Sequence, residues 1–110
     1  MKIKNYSTLI QSQIDTLTEY QLDLLYFVYQ QLNIQFNFFM PETQYQKFIN
    51  FTYNNTYSKN NINTYKSLLK LLTTSYTDPS KYPYVIKSIK LIKNNYSLKD
   101  IINIVYHYEH

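Results

Sequence analysis

The stretch TLTEYQLDLLYFVYQQLN, residues 16–33, decides the fold class. Its apolar residues recur three or four positions apart, as they do along one face of an α-helix. Thr16 and Thr18 each stand three residues before a Glu or Gln, which is the pattern of a capping box. The stretch therefore predicts an amphipathic helix with a defined start. Its inward-facing residues are expected to be Leu22, Leu25, Val28, Tyr29 and Leu32.

The same spacing recurs on both sides of this helix. It predicts further helices over residues 7–14, from Pro41 to about Tyr53, from Ile62 to Leu72, from Pro83 to about Asn94, and from Ser97 onward. Short helices joined by short polar loops are typical of a helical bundle. We therefore expect an all-α protein, a compact bundle of five or six short helices that forms a single domain over residues 1–110.

Two features concern the connections between the helices. The segment NIQFNFF, residues 33–39, alternates apolar and polar residues, and this period favours an extended connector whose Phe rings plug the core. The chain contains no Gly. Turns that need a positive φ must therefore use Asn or Asp, and Asn94–Asn95 stands at such a predicted break.

The composition bears on origin and location. Gly, Ala, Arg and Trp are absent, whereas Asn, Lys, Ile, Tyr and Phe are abundant, a bias typical of the AT-rich genome of a virus, plasmid, organelle or low-GC bacterium. Of these we expect a viral or mobile-element origin. The two lysines near the N-terminus precede no continuous apolar run, and no run is long enough to span a bilayer. We expect a cytoplasmic protein, inside the host cell, that does not enter a membrane.

The charge is concentrated in the second half of the chain. Residues 1–55 carry three lysines and four acidic residues, whereas residues 56–110 carry eight lysines and three acidic residues. Lysines spaced three or four apart on a helix form a ridge. Lysine neutralises phosphate, and an exposed aromatic ring gives a base a surface for stacking. The candidate binding residues are Lys66, Lys70, Lys87, Lys90, Lys93, Tyr82 and Tyr84.

The same lysines are also compatible with a solvent-exposed surface that has no binding role, because a soluble amphipathic helix carries charged residues opposite its apolar face. The chain also lacks arginine, which makes the commonest bidentate contact with guanine. Any binding of nucleic acid is therefore expected to involve the phosphate backbone.

The segment LIKNNYSLKDIINIVY, residues 91–106, resembles in general terms part of a helix-turn-helix unit. Such a unit reads DNA through a recognition helix in the major groove. If the last helix were that element, its exposed face would hold Lys99, Asn103 and His107, a surface poor in cations. A structural helical hairpin is the expected outcome.

Catalytic and metal sites are not indicated. The chain has no Cys nucleophile and no glycine-rich phosphate loop. His107 and His110 are three apart near Glu109, but no third strong ligand accompanies them. We expect a protein that is not an enzyme and that holds no metal or cofactor.

Three hypotheses follow for the function. The first is a small interaction protein, an inhibitor or accessory factor, that binds a host protein or a nucleoprotein complex; the abundant Tyr favours it, since this residue is enriched at interface hot spots. The second is a nucleic-acid-binding protein that uses the lysine and tyrosine face. The third is a structural subunit of a virion or ribonucleoprotein, which predicts self-association into a homo-oligomer.

Overall fold

Each regular element in the structure, a computed structural model that describes residues 5–55 and 62–109, is helical; for residues 48, 49, 51–55 and 109 only the backbone is described. The all-α prediction is therefore confirmed. The helices are α1 (Tyr6–Asp15), α2 (Glu19–Phe36), α3 (Glu42–Asn55), α4 (Ile62–Leu71), α5 (Tyr82–Lys93) and α6 (Leu98–Glu109). A π-helical turn (Leu72–Tyr76) and a 3-10 turn (Pro79–Lys81) connect α4 to α5.

Helix α2 lies at the centre of the bundle and packs against α3, α4, α5 and α6, while α1 covers α4 and α5. The five residues of α2 predicted to face inward are all buried. Each fully buried Leu or Val contributes roughly 1.5–3 kcal/mol. The other buried aliphatic residues of the helices are Ile10, Ile14, Leu69, Val85, Ile89, Leu91, Ile92, Ile101 and Val105. The radius of gyration, 13.3 Å, is close to the ~13 Å expected for one domain of this length.

The start of α2 has the predicted capping box at Thr18. The Gln21 amide donates to Thr18 Oγ1 at 3.2 Å, and the Thr18 amide donates to Gln21 Oε1 at 2.9 Å. Thr16 instead caps the C-terminus of α1, where its amide donates to the Gln13 carbonyl at 3.1 Å. Of the two candidate boxes, the structure uses the one at Thr18.

Asparagine supplies the positive φ angles, as the absence of Gly predicted. Asn37, with φ 48°, ends α2, and Asn95, with φ 64°, lies between α5 and α6. Asn tolerates the left-handed region better than most residues with a Cβ. No other described residue has a positive φ.

The prediction of an extended connector over residues 33–39 is wrong at its front, because α2 continues to Phe36. No strand pairs with it among the described residues, whereas a helix satisfies its own backbone amides. Apolar residues two positions apart then lie on different sides of the helix. Ile34 is 62% exposed and Phe36 43% exposed, so only the later rings, Phe38 and Phe39, enter the core.

The turn after α2 is closed by the buried side chain of Asn33. Its Oδ1 accepts from the amides of Phe39 and Met40, each at 2.9 Å, and its Nδ2 donates to the Met40 carbonyl at 3.1 Å. The Phe39 carbonyl in turn accepts from the Asp78 amide at 3.0 Å. The Asn33 side chain therefore fixes the turn that leads to α3, and the backbone bond between Phe39 and Asp78 links that turn to the segment before α5.

The buried hydroxyl of Tyr45 on α3 predicts a loss of stability at high pH. This oxygen has no hydrogen-bond partner among the described residues. Burial, with a smaller contribution from Tyr26, raises the pKa of Tyr45 from 10.0 to about 12. Above pH 10 the unfolded chain loses this proton while the folded chain keeps it, so the free energy of unfolding falls as the pH rises from 10 to 12.

Tyr45→Phe removes this contribution. We expect the variant to gain about 1 kcal/mol at pH 7, because the unpaired hydroxyl is gone, and to lose less stability than the wild type between pH 9 and pH 11. Urea denaturation at pH 7, pH 9 and pH 11 measures both quantities. Equal losses in the two proteins would mean that the Tyr45 hydroxyl reaches water.

Candidate binding groove

Two of the predicted lysines are engaged within the molecule. Lys70 Nζ lies 2.6 Å from Asp15 Oδ1, and Lys66 Nζ donates to the Asp15 carbonyl oxygen at 2.9 Å. Asp15 is the last residue of α1, and cations are favourable at a helix C-terminus because they complement its dipole. These two lysines therefore hold α4 against the end of α1.

The three lysines of α5 have a different environment. Lys90 and Lys93 are exposed and form no ion pair with a described residue. Lys87 is half-buried, and its Nζ lies 5.5 Å from the ring centroid of Tyr108 on α6. The predicted lysine face is thus divided between a contact at α1 and a ridge on α5.

The two predicted tyrosines are half-buried and make contacts within the bundle. The Tyr82 hydroxyl donates to the Thr74 carbonyl at 2.8 Å, which ties the start of α5 to the π-helical turn. Burial, with a smaller contribution from Asp78, raises the pKa of Tyr82. The Tyr84 ring meets the Phe38 and Tyr108 rings edge-on, with centroids 5.3 Å and 5.9 Å apart.

An aromatic cluster that the sequence reasoning missed joins the end of α2 to the end of α6. Phe36 and Tyr106 are stacked, with ring centroids 4.0 Å apart and planes inclined by 24°. Phe38 lies beside Tyr106 at 6.4 Å, and the Lys81 ammonium lies 4.3 Å from the Phe38 centroid. The sequence feature that could have indicated this cluster is the concentration of aromatic residues near the ends of α2 and α6.

An open groove of about 620 Å³ runs between α2 and α6 beside this cluster. Its floor is apolar and consists of Phe36 from α2 and Leu98, Ile102 and Tyr106 from α6. The three residues of α6 follow one another at spacing four, because residues separated by about one turn share a helix face. Phe36 remains 43% exposed despite its stacked partner.

Polar side chains form the two banks of this α2–α6 groove. Gln31 and Gln35 stand on the α2 side, and Gln35 Nε2 donates to Gln31 Oε1 at 3.2 Å. Lys99, Asn103 and His107 stand on the α6 side, again at spacing four. None of the lining residues is acidic. The groove therefore offers apolar contact below and hydrogen-bond donors along both sides.

The two helices run in the same direction. Tyr20 and Leu24, near the start of α2, line a second depression of about 460 Å³ together with Tyr96 and Ser97, which precede α6. At the other end, the last residue of α2 stacks on Tyr106 near the end of α6. The seam between the helices is therefore open at both ends.

The described side chains offer binding surface and no assembled ion site. No group of three or more His, Cys, Asp or Glu comes together among them. His107 lies on a bank of the groove, but His110 lies outside the described residues and of Glu109 only the backbone is described. The expectation that these three residues hold no metal therefore stays a prediction.

Comparison with family models, with curated proteins and with solved structures gives no match for this chain. In the part of the chain that the structure describes, no helix combines the length and the apolar character needed to cross a membrane.

Proposed function

We propose that this chain is a small non-enzymatic interaction protein that binds a segment of a partner protein in the α2–α6 groove. The observation that supports this most is the groove itself, with its apolar floor and hydrogen-bonding banks. Its volume lies within the ~300–1,000 Å³ of typical binding sites. A role as an inhibitor or accessory factor toward a host protein fits the AT-rich composition.

The exposure of the aromatic residues also supports the proposal. Phe36, in the floor of the groove, keeps 43% of its surface accessible and is stacked on Tyr106, which lines the groove beside it. Contiguous apolar surface rimmed by polar residues marks interaction sites, and aromatic anchors supply much of the binding energy of interfaces.

Photo-crosslinking from two positions in the source cells tests the proposal. A photoreactive phenylalanine analogue is placed at Asn103, on the bank of the groove, or at Gln11, an exposed position on α1. We expect a discrete protein adduct from position 103 that is absent from position 11. The same adducts from both positions, or none from position 103, would contradict the proposal.

Nucleic acid binding is a second candidate, which the state of the α5 lysines favours. Lys90 and Lys93 are exposed and unpaired among the described residues, and Lys87 adjoins an exposed Tyr ring. Such a ridge suits contact with phosphates and gives salt-dependent affinity. It lies on a different helix from the acidic contact made by Lys66 and Lys70.

The α5 ridge makes a specific prediction for binding to single-stranded DNA or RNA. Changing Lys87, Lys90 and Lys93 together to Gln is expected to remove about three phosphate contacts. The logarithm of the association constant should then fall less steeply with the logarithm of the salt concentration, and binding should be at least about tenfold weaker. The matched control changes Lys2, Lys4 and Lys47, the three lysines of residues 1–55, to Gln, with the same loss of charge. Fluorescence anisotropy at several salt concentrations measures both. Equal losses would mean that only net charge matters.

A further inference from the structure

We infer that the α2–α6 groove receives an amphipathic α-helix whose polar flank carries carboxylates; this rests on the proposed function and specifies the partner. The structural basis is the apolar floor of this groove between two parallel helices, bordered on the α6 side by Lys99 and His107 and lined by no acidic residue.

The shape of the seam favours a helix over an extended peptide. The groove follows α6 from Leu98 to His107, and the second depression lies beyond it, between the start of α2 and the residues that precede α6. The 12 residues of α6 span about 18 Å, which is enough for three turns of an added helix. A helix brings its own backbone hydrogen bonds, so it can lie on an apolar floor without leaving amides unpaired. Docking of an amphipathic helix in a groove is a recurring mode of recognition.

The charge of the groove favours carboxylates on that helix. Lys99 forms no ion pair with a described residue, and His107 lies two turns further along the same bank. Asp100 is exposed next to Lys99 but does not line the groove. This bank carries one lysine, so an acidic side chain on the occupant would meet the Lys99 ammonium with no opposing acid among the lining residues, and such complementarity favours one partner over others.

The shape and the charge of the groove together predict a sequence pattern for the partner. Apolar residues at i, i+4 and i+7 would contact the floor made by Phe36, Ile102 and Tyr106, and Glu or Asp would follow on the side that faces Lys99 and His107. The glutamines of the opposite bank are uncharged, so polar residues suffice there.

Selection from a phage-displayed library of random 16-residue peptides tests the inference. Selection on the intact chain is paired with counter-selection on Asn103→Trp, which places a large ring on the groove bank at an exposed helical position. Circular dichroism establishes that the variant is folded. We expect the peptides that depend on an open groove to carry the apolar spacing above and a net negative charge.

A charge exchange on the best selected peptide completes the test. Lys99→Glu is expected to weaken binding about tenfold, and replacing the peptide's facing Glu by Lys should restore most of the affinity for that variant. Groove-dependent peptides that are basic or rich in proline would overturn the acidic helix and leave the proposed function standing. If no selected peptide depends on the open groove, both the inference and the proposed function fail.

Discussion

Asn33→Ala should lower the free energy of unfolding by roughly 3–5 kcal/mol, because three buried hydrogen bonds of the turn after α2 are lost together. The Asn33 side chain is 1% exposed. It accepts from two amides and donates to one carbonyl of residues 39 and 40. A methyl group would leave these backbone groups buried and unpaired, and each such group costs about 1–3 kcal/mol.

The expected loss is large compared with the ~5–15 kcal/mol that stabilises a typical domain. Urea denaturation followed by circular dichroism measures it. Asn103→Ala is the matched control, because Asn103 is exposed on α6, and we expect a change within about 0.5 kcal/mol. A loss below about 1 kcal/mol for Asn33→Ala would mean that water or another side chain satisfies the turn.

Phe39→Ala is expected to cost about 3–5 kcal/mol, whereas Phe36→Ala is expected to cost less than about 1.5 kcal/mol. Phe39 is 1% exposed and meets the rings of Tyr29 and Phe38 edge-on, with centroids 4.9 Å and 5.0 Å apart. Removal of this ring leaves a cavity between α2 and the turn that follows. Phe36 lies three residues earlier, where α2 still faces solvent on one side.

The same denaturation experiment compares the two Phe variants, and the difference between them is the informative quantity. Equal destabilisation would mean that the Phe36 ring is as deeply packed as the Phe39 ring. That result would mean that the floor of the α2–α6 groove, to which Phe36 belongs, does not expose this aromatic ring for binding.

The fold class could be predicted because the information is local. The apolar spacing in residues 16–33 places its side chains on one helix face whatever surrounds them, and the capping box at Thr18 depends on residues three apart. The use of Asn at positive φ also follows from composition, once Gly is absent. Each of these needs knowledge of a few neighbouring residues only.

The connector after α2 could not be predicted by the same means. Its period-two pattern is compatible with a strand, and the outcome depended on whether another strand was available for pairing. The role of Asn33 was equally hidden, because its three partners lie six and seven residues later, in a turn of unknown course. Helix spacing does not reveal a side chain that folds back onto the following turn.

The candidate site differs from the lysine face for a physical reason. Charge counts identify where cations are abundant, but the pairing of Lys70 with Asp15 joins residues far apart in the chain. Likewise the α2–α6 groove depends on which helices become neighbours, and spacing within one helix does not determine this. Lys99, Asn103 and His107 were recognised as an exposed face of the last helix; their position opposite Gln31 and Gln35 required the packing.

Amide chemical-shift mapping with the tightest selected peptide is a direct test of whether the α2–α6 groove binds a partner polypeptide. The ¹⁵N-labelled protein is titrated, and the shifts are followed residue by residue. We expect the largest changes to cluster at Gln35, Lys99 and Ile102, with little change on α1. Changes concentrated at Lys90 and Lys93 on α5, with none in the groove, would contradict this expectation.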